Sequence, residues 1–233
     1  MSAAYHRLTV AIVVILLSAS GSSNPVSGAS IIAFDTDSNW TAGSGTFTSY
    51  VSDHTYAESD WTFTGGPALR NTTSAQDGFP GALGTYSWRL RNDSSVSWTA
   101  TYTTTGTLTD FGFDVRRWDG SPSPNFSVEY STNGGTSFSP TGITIDNTFL
   151  NNTSDWSTLS YSLPTPANVN ANELIVRVAA QGATERIMID NFSFTEAATV
   201  PEPSTLALAG LGIGVAGLAA RRRWLAAASK IAA

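Results

Sequence analysis

Three oxygen-bearing side chains recur at alternate positions in Asp35-Thr36-Asp37-Ser38-Asn39. Calcium takes six to eight hard oxygen ligands, and alternate positions of one loop can supply several. No Gly stands at the sixth position and no Glu at the twelfth, so this is not an EF-hand loop. The plainer reading of the same residues is turn chemistry with surface charge.

Other chemistries have little material. The chain has no Cys, so it has no disulfide framework, thiolate metal site or thiol nucleophile. Of its two histidines, His6 lies in the leader, and a histidine zinc centre or a Ser/His/Asp triad would rest on His54 alone. Glycoside hydrolysis needs two acids about 5–10 Å apart. Glu58, Asp60, Asp114 and Glu129 qualify by type, but acids on the polar face of strands are ordinarily solvated, and no catalytic residue is assigned.

Aromatic rings are plentiful: Trp40, Tyr50, Tyr56, Trp61, Trp88, Trp98, Trp118 and Trp156 could all offer flat faces to sugars. Antiparallel sandwiches bury such rings as core, and the local alternation turns Trp88 and Trp98 inward. Trp118, beside the Gly/Pro-rich stretch Asp119–Pro124, is the expected glycan contact.

Between Ser30 and Val200 stand seven Arg, no Lys and seventeen Asp plus Glu, a net −10. Nucleic-acid binding needs dense Lys/Arg contacts, so that partner is excluded. Such a surface favours solubility and attracts divalent cations. Thr, Ser, Asn and Gly with many aromatics make the composition of an extracellular β-protein.

Period-2 alternation supplies the elements that must position these residues. It runs through Thr85–Arg91, Val96–Tyr102, Phe111–Trp118, Phe126–Tyr130, Leu174–Val178 and Ile187–Phe194. Short runs at this spacing, bounded by Gly, Pro, Asn and Asp, predict an all-β fold, an antiparallel β-sandwich wound as a jelly roll. Asn133-Gly134 predicts a hairpin with a type I′ turn.

The ends read differently from the body. Residues 1–29 carry His6 and Arg7, an apolar stretch Leu8–Leu17, and Ser27-Gly28-Ala29 before the expected cleavage at Ser30. This is a secretory signal peptide with its helical apolar core. At the other end, Val200-Pro201-Glu202-Pro203-Ser204 precedes an apolar run Thr205–Ala220 and the cluster Arg221-Arg222-Arg223. Sixteen residues of helix span about 24 Å, which with its flanks reaches across a hydrocarbon core of about 30 Å. The arginines stay on the cytoplasmic side. The expected division is a signal peptide at 1–29, a β-sandwich at 30–197 and a sorting segment at 198–233.

That three-part tail resembles the PEP-CTERM sorting signal of Gram-negative bacteria. The resemblance implies processing by an exosortase, a membrane-embedded transpeptidase, in bacteria that make exopolysaccharide and extracellular matrix. The protein would be exported, held briefly in the inner membrane by its C-terminal helix, and delivered to the cell surface or matrix. Trp224–Ala233, after the Arg cluster, depart from the family, whose members usually stop sooner.

Two further resemblances concern the body. Ser131-Thr132-Asn133-Gly134-Gly135-Thr136-Ser137-Phe138 is similar to the Asp-box hairpin, a structural motif, with Asn133 in place of Asp. One copy does not make a propeller. The early Phe-Asp, the central Val-Glu-Tyr-Ser-x-Asn-Gly-Gly and the late Ile-Asp-Asn-Phe-Ser-Phe together resemble MAM-like and galactose-binding-like jelly rolls. That resemblance implies neighbouring first and last strands and a structural calcium between them, with Asp190 joining Asp35 and Asp37. The expected function is a structural or adhesive one without catalysis; the alternative is a carbohydrate-binding module that holds exopolysaccharide.

Overall fold

Alternation of large apolar and small hydroxylated residues puts most of the described residues into half-buried strands. The computed structural model describes residues 28–43, 45, 54–65, 68–71, 81–90, 97–117, 125–151, 155–182 and 186–197. Among them are thirteen strands and one short 3-10 turn, Asp37–Asn39. The strands are β1 Ala29–Ile32, β2 Trp40–Ala42, β3 His54–Glu58, β4 Trp61–Gly65, β5 Ala68–Asn71, β6 Tyr86–Leu90 and β7 Ser97–Tyr102. They continue with β8 Gly106–Arg117, β9 Phe126–Ser131, β10 Ser139–Ile145, β11 Ser157–Val169, β12 Ile175–Ala180 and β13 Ile187–Glu196.

Two antiparallel sheets result. The first runs β11-β8-β13-β6-β5, with β1 also on β13; the second runs β10-β9-β12-β7-β4-β3-β2. From β6 to β9 the chain changes sheet at every step, and it does so again from β10 to β13. The sheets face each other through aromatic rings. Phe192 of the first sheet meets Trp61 at 4.6 Å and Phe63 at 5.3 Å in the second. Trp98 reaches Phe113 at 5.7 Å and Trp88 at 6.5 Å. Edge-to-face pairs of this kind add about 0.5–1.5 kcal/mol each beyond burial. Trp88 and Trp98 are fully buried, as their alternation predicts, and so are Tyr56 and Trp61.

β13 is the organising strand. On one side it pairs with β8 along most of its length. On the other side Ile187–Ile189 pair with β6, while Phe192–Thr195 pair with β1. The change of partner falls at Asp190-Asn191, where Asn191 takes φ 47 and the register with β8 shifts. This is the behaviour of a β-bulge, which bends a strand and re-aims a side chain.

Several details differ from the alternation. β6 is buried at all five positions, Ser87 and Arg89 included, so its outward face is covered too. β10 and β11 lack a clean sequence signature. β11 contains Pro164 and Pro166, and its register against β8 shifts between Ser162 and Ala167. Pro cannot donate to a ladder, and a shifted segment of an edge strand is where it is tolerated. The hairpin at Asn133-Gly134 does join β9 to β10, but through seven residues, 132–138. Gly134 and Gly135 take the positive φ values, 68 and 80, and Asn133 does not. A type I′ turn would need positive φ at Asn133 as well, so that expectation is corrected.

No helix among the described residues is long and apolar enough to cross a membrane. The signal segment up to residue 27 and the whole sorting segment from 198 onward lie outside the described residues. Ala29 forms part of β1, paired with Thr195.

Candidate functional site

Asp35 follows β1 and Asp190 sits in the bulge of β13, and both turn to the same stretch of chain, Leu83–Tyr86. Asp35 Oδ1 accepts from the backbone N–H groups of Thr85 and Tyr86, the latter at 3.1 Å. Asp190 Oδ2 accepts from Leu83 N–H at 2.8 Å, and its Oδ1 from Asn191 N–H at 2.8 Å. A Cβ at Gly84 would overlap the Asp35 carboxylate, so the lack of a side chain there is a steric requirement of the site. Asp35 and Asp190 thus hold N–H groups of one short stretch, Leu83–Tyr86.

The electrostatics of this seam are one-sided. Asp190 is fully buried, and burial pushes its carboxyl up to about 7. The hydrogen bonds from Leu83 and Asn191 pull the other way, while the charges of Asp35 and Asp114 add to the rise. Asp114 stands opposite Asp190 on β8. It accepts from Asn191 Nδ2 at 3.1 Å and from Thr158 Oγ1 at 2.6 Å. Asp37 takes another path: it is exposed and hydrogen-bonded to the Tyr86 side chain, whose hydroxyl is raised by burial and by this neighbour. Asn39 turns to the other sheet, donating to Glu58 Oε2 at 3.3 Å. Among the described residues no group of three or more His, Cys, Asp or Glu is placed to hold a metal ion.

Other candidates separate cleanly. His54 is buried against Trp40, with ring centroids 6.5 Å apart. Asp114 lies between the core residues Phe113 and Val115, and so on the outer face of the first sheet. Glu129 lies on the outer face of the second, bonded to Arg177 Nε at 3.0 Å. These two carboxylates therefore do not flank one cleft. Trp118 and the motifs 200–204 and 221–223 lie outside the described residues. Trp156 is half-buried, its indole donating to Gly81 O at 3.2 Å, with Arg116 5.4 Å from its ring.

The Asp-box-like loop is held by its own polar groups. Ser131 Oγ accepts from Gly135 N–H at 2.9 Å, and Asn133 Oδ1 accepts from Ser137 N–H at 3.0 Å. Phe138 at its end lies on the Arg177 guanidinium at 3.6 Å. Asn133 thus serves where Asp would, through one carbonyl oxygen and the amide it donates to Ser137.

The sequence did not flag one feature, the open side of the sandwich where β10 and β11 are the sheet edges. A groove of about 340 Å3 opens there between Tyr130 and the Leu163–Asn168 stretch of β11. A wider one of about 580 Å3 lies further along, between Ile143–Phe149 and Thr158–Ser160.

Comparisons with known proteins bear on the ends and the build of this chain. Residues 199–223 match the family described as the PEP-CTERM protein-sorting motif. The chain carries that motif, which marks an exported protein sorted to the cell envelope or extracellular space. No curated protein matches the chain. Among solved structures, the body is similar to the CBM22-1 xylan-binding domain of Paenibacillus barcinonensis Xyn10C, at 10% identity and TM-score 0.41 over 59% of this chain and 87% of that one. It is similar to the xylan-binding module CBM15, at 14% identity and TM-score 0.42 over 74% and 100%. The K2 cleaved adhesin domain of Lys-gingipain is similar at 14% identity and TM-score 0.45 over 72% and 98%. Likeness at this level carries no argument about ligand or activity.

Proposed function

We propose that this is an exosortase-processed protein of the cell surface or extracellular matrix, with a structural or adhesive role and no catalysis of its own. The sorting motif at residues 199–223 is the observation that carries this reading. In it, residues 1–29 are removed as a signal peptide. Thr205–Ala220 holds the chain in the inner membrane with Arg221–Arg223 on the cytoplasmic side, until the exosortase acts near Pro201-Glu202-Pro203. In the producing bacterium, Pro201→Ala with Glu202→Ala should leave a longer, membrane-held form. Unchanged size and location of the double variant would sink the proposal.

A second reading, a carbohydrate-binding module that holds exopolysaccharide, is favoured by the grooves on the open side of the sandwich. Trp118 is its sequence-derived contact. Affinity electrophoresis of the full chain, with Trp118→Ala beside it, tests that residue: equal retention of both removes Trp118 from the site.

Both readings accommodate a structural calcium at Asp35 and Asp190. Two carboxylates meet there, and neither has a basic partner among its hydrogen-bond donors. Asp190 Oδ1 and Oδ2 accept one N–H each and so each retains a lone pair, whereas Asp35 Oδ1 already accepts two and its Oδ2 is the oxygen left for a cation. Asp37, turned to Tyr86, is the least suited of the three predicted ligands.

A further inference from the structure

We propose that the groove between Tyr130 and the Pro164–Pro166 arch binds an uncharged polysaccharide chain. The proposal rests on the reading that this body meets polysaccharide outside the cell, and it places the contact on the opened edge of the sandwich.

The groove is built by a specific departure of β11 from its neighbour. Residues up to Ser162 pair with β8, and pairing resumes at Ala167. The intervening Leu163-Pro164-Thr165-Pro166 lifts off as an arch. Two prolines fix φ at both of their positions, so the arch loses little freedom when a ligand binds. Leu163 is buried and anchors it, while Pro164, Thr165 and Pro166 are exposed.

The opposite wall is equally fixed. Tyr130 packs on Tyr161 at 5.6 Å, and Tyr161 on the core residue Phe111 at 5.4 Å. A file of three rings thus leads from the core to the groove. Tyr130 stays half-exposed at its outer end. Tyr130, Pro164 and Pro166 form one slot, the apolar part of a mostly polar lining, on which the C–H face of a sugar can lie.

The rim decides the chemical class. Thr132, Ser139, Thr165 and Asn168 surround the slot, and among the described residues no charged one lines it. Asn168, whose Oδ1 accepts from Thr107 Oγ1, lines the groove with an amide that can still donate. Hydroxyls and an amide match sugar hydroxyls and offer nothing to neutralise a uronate or sulfate. In a chain carrying a net −10 over its body, an acidic polymer would also be repelled. The second groove on the same edge is bordered by Thr144, Thr148, Thr158 and Ser160, again hydroxyls, with Asp146 turned back to the N–H groups of Thr148 and Phe149. Ser160 of one groove and Pro164 of the other stand only four residues apart on β11, so at ~3.3 Å per residue they lie within about 13 Å of each other along the chain.

The test is affinity electrophoresis of the full chain in mild detergent against xylan, mannan and a β-1,3-glucan, with alginate as the acidic comparator. At least one neutral polymer should retard the protein, alginate should not, and retardation should be the same in low and high salt. Tyr130→Ala should weaken it tenfold or more. Because that change could also loosen the fold, Thr165→Lys on the exposed crest of the arch is the second variant, expected to weaken retardation equally with an unchanged melting midpoint. Thr41→Lys, on the far end of the second sheet, should bind like the parent. No retardation by any neutral polymer, full retention in both Tyr130→Ala and Thr165→Lys, or binding to alginate alone would each overturn the proposal. Its fate is separable from the sorting reading: a protein correctly delivered to the surface yet unretarded refutes the groove only, whereas a mislocalised protein that is retarded refutes only the sorting.

Discussion

Asp190 and Asp114 stand directly opposite one another on β13 and β8, two carboxylates at paired positions of one sheet face. The Asn191 side chain donates to Asp114, and its backbone N–H donates to Asp190. One residue thus tempers both acids, but no cation separates them among their hydrogen-bond partners. The folded value of Asp190, about 7, lies well above the ~3.9 of an unfolded Asp. Between those values the folded protein holds a proton that the unfolded chain has released. Stability from this group therefore falls as pH rises from about 4 to about 7 and levels off above that. Asp190→Asn keeps an acceptor for Leu83 N–H and cannot ionise. In chelator-treated buffer, its melting midpoint relative to the parent should climb across that window, by the equivalent of a few kcal/mol. A constant difference from pH 4 to 8 would show that Asp190 titrates normally.

Calcium reverses the comparison. A cation at Asp35 and Asp190 would stabilise the folded state by mass action. Adding calcium should raise the parent's midpoint and leave Asp190→Asn nearly unmoved. A midpoint that is the same with chelator and with millimolar calcium would remove the site.

Gly84→Ala is expected to damage the seam from the other side. Its Cβ would overlap the Asp35 carboxylate, which is held by Thr85 and Tyr86. Overpacking of this kind costs about 1–3 kcal/mol. Denaturant unfolding should show the loss, and Gly84→Ala combined with Asp35→Ala should recover part of it, because the obstructing carboxylate is gone.

Phe192→Ala should be the most costly of the core truncations on β13. Its ring touches Trp61, Phe63, Trp98 and Phe194. Loss of a buried Phe costs about 3–5 kcal/mol. Trp98→Phe should be milder, since the buried Trp98 Nε1 has no hydrogen-bond partner among the described residues. An unfolding free energy lowered more by Trp98→Phe than by Phe192→Ala would contradict this ordering.

The strands that alternate cleanly were legible from the residues. β7 is the plainest case: Trp98, Ala100 and Tyr102 point inward between Ser97, Thr99 and Thr101. β11 was hidden because Pro164 and Pro166 break its pattern and only tertiary pairing with β8 reveals a strand. The turn at Asn133 was misread because Asn-Gly is a local signal, whereas the Ser131 and Asn133 side chains organise a longer loop. A site shared by Asp35, Asp37 and Asp190 is what the family resemblance implies; that Asp35 and Asp190 bond one stretch is visible only in the structure. Their true meeting point, Leu83–Tyr86, has no marker, since backbone N–H groups are the same in every sequence. Asp114 was weighed only as a catalytic acid; its place opposite Asp190 depends on register, which period-2 alternation does not set between strands distant in sequence.

The position of β13 has a consequence for the order of events. The first sheet cannot be completed without this strand, which joins β8 to both β6 and β1. It is also the last strand among the described residues, ending at Glu196, with Ala197 N–H bonded to Thr107 O at 2.7 Å just before the sorting motif. A polypeptide exported N-terminus first delivers its keystone last. In the proposed export, led by residues 1–29, the first sheet could close only after Glu196 has crossed.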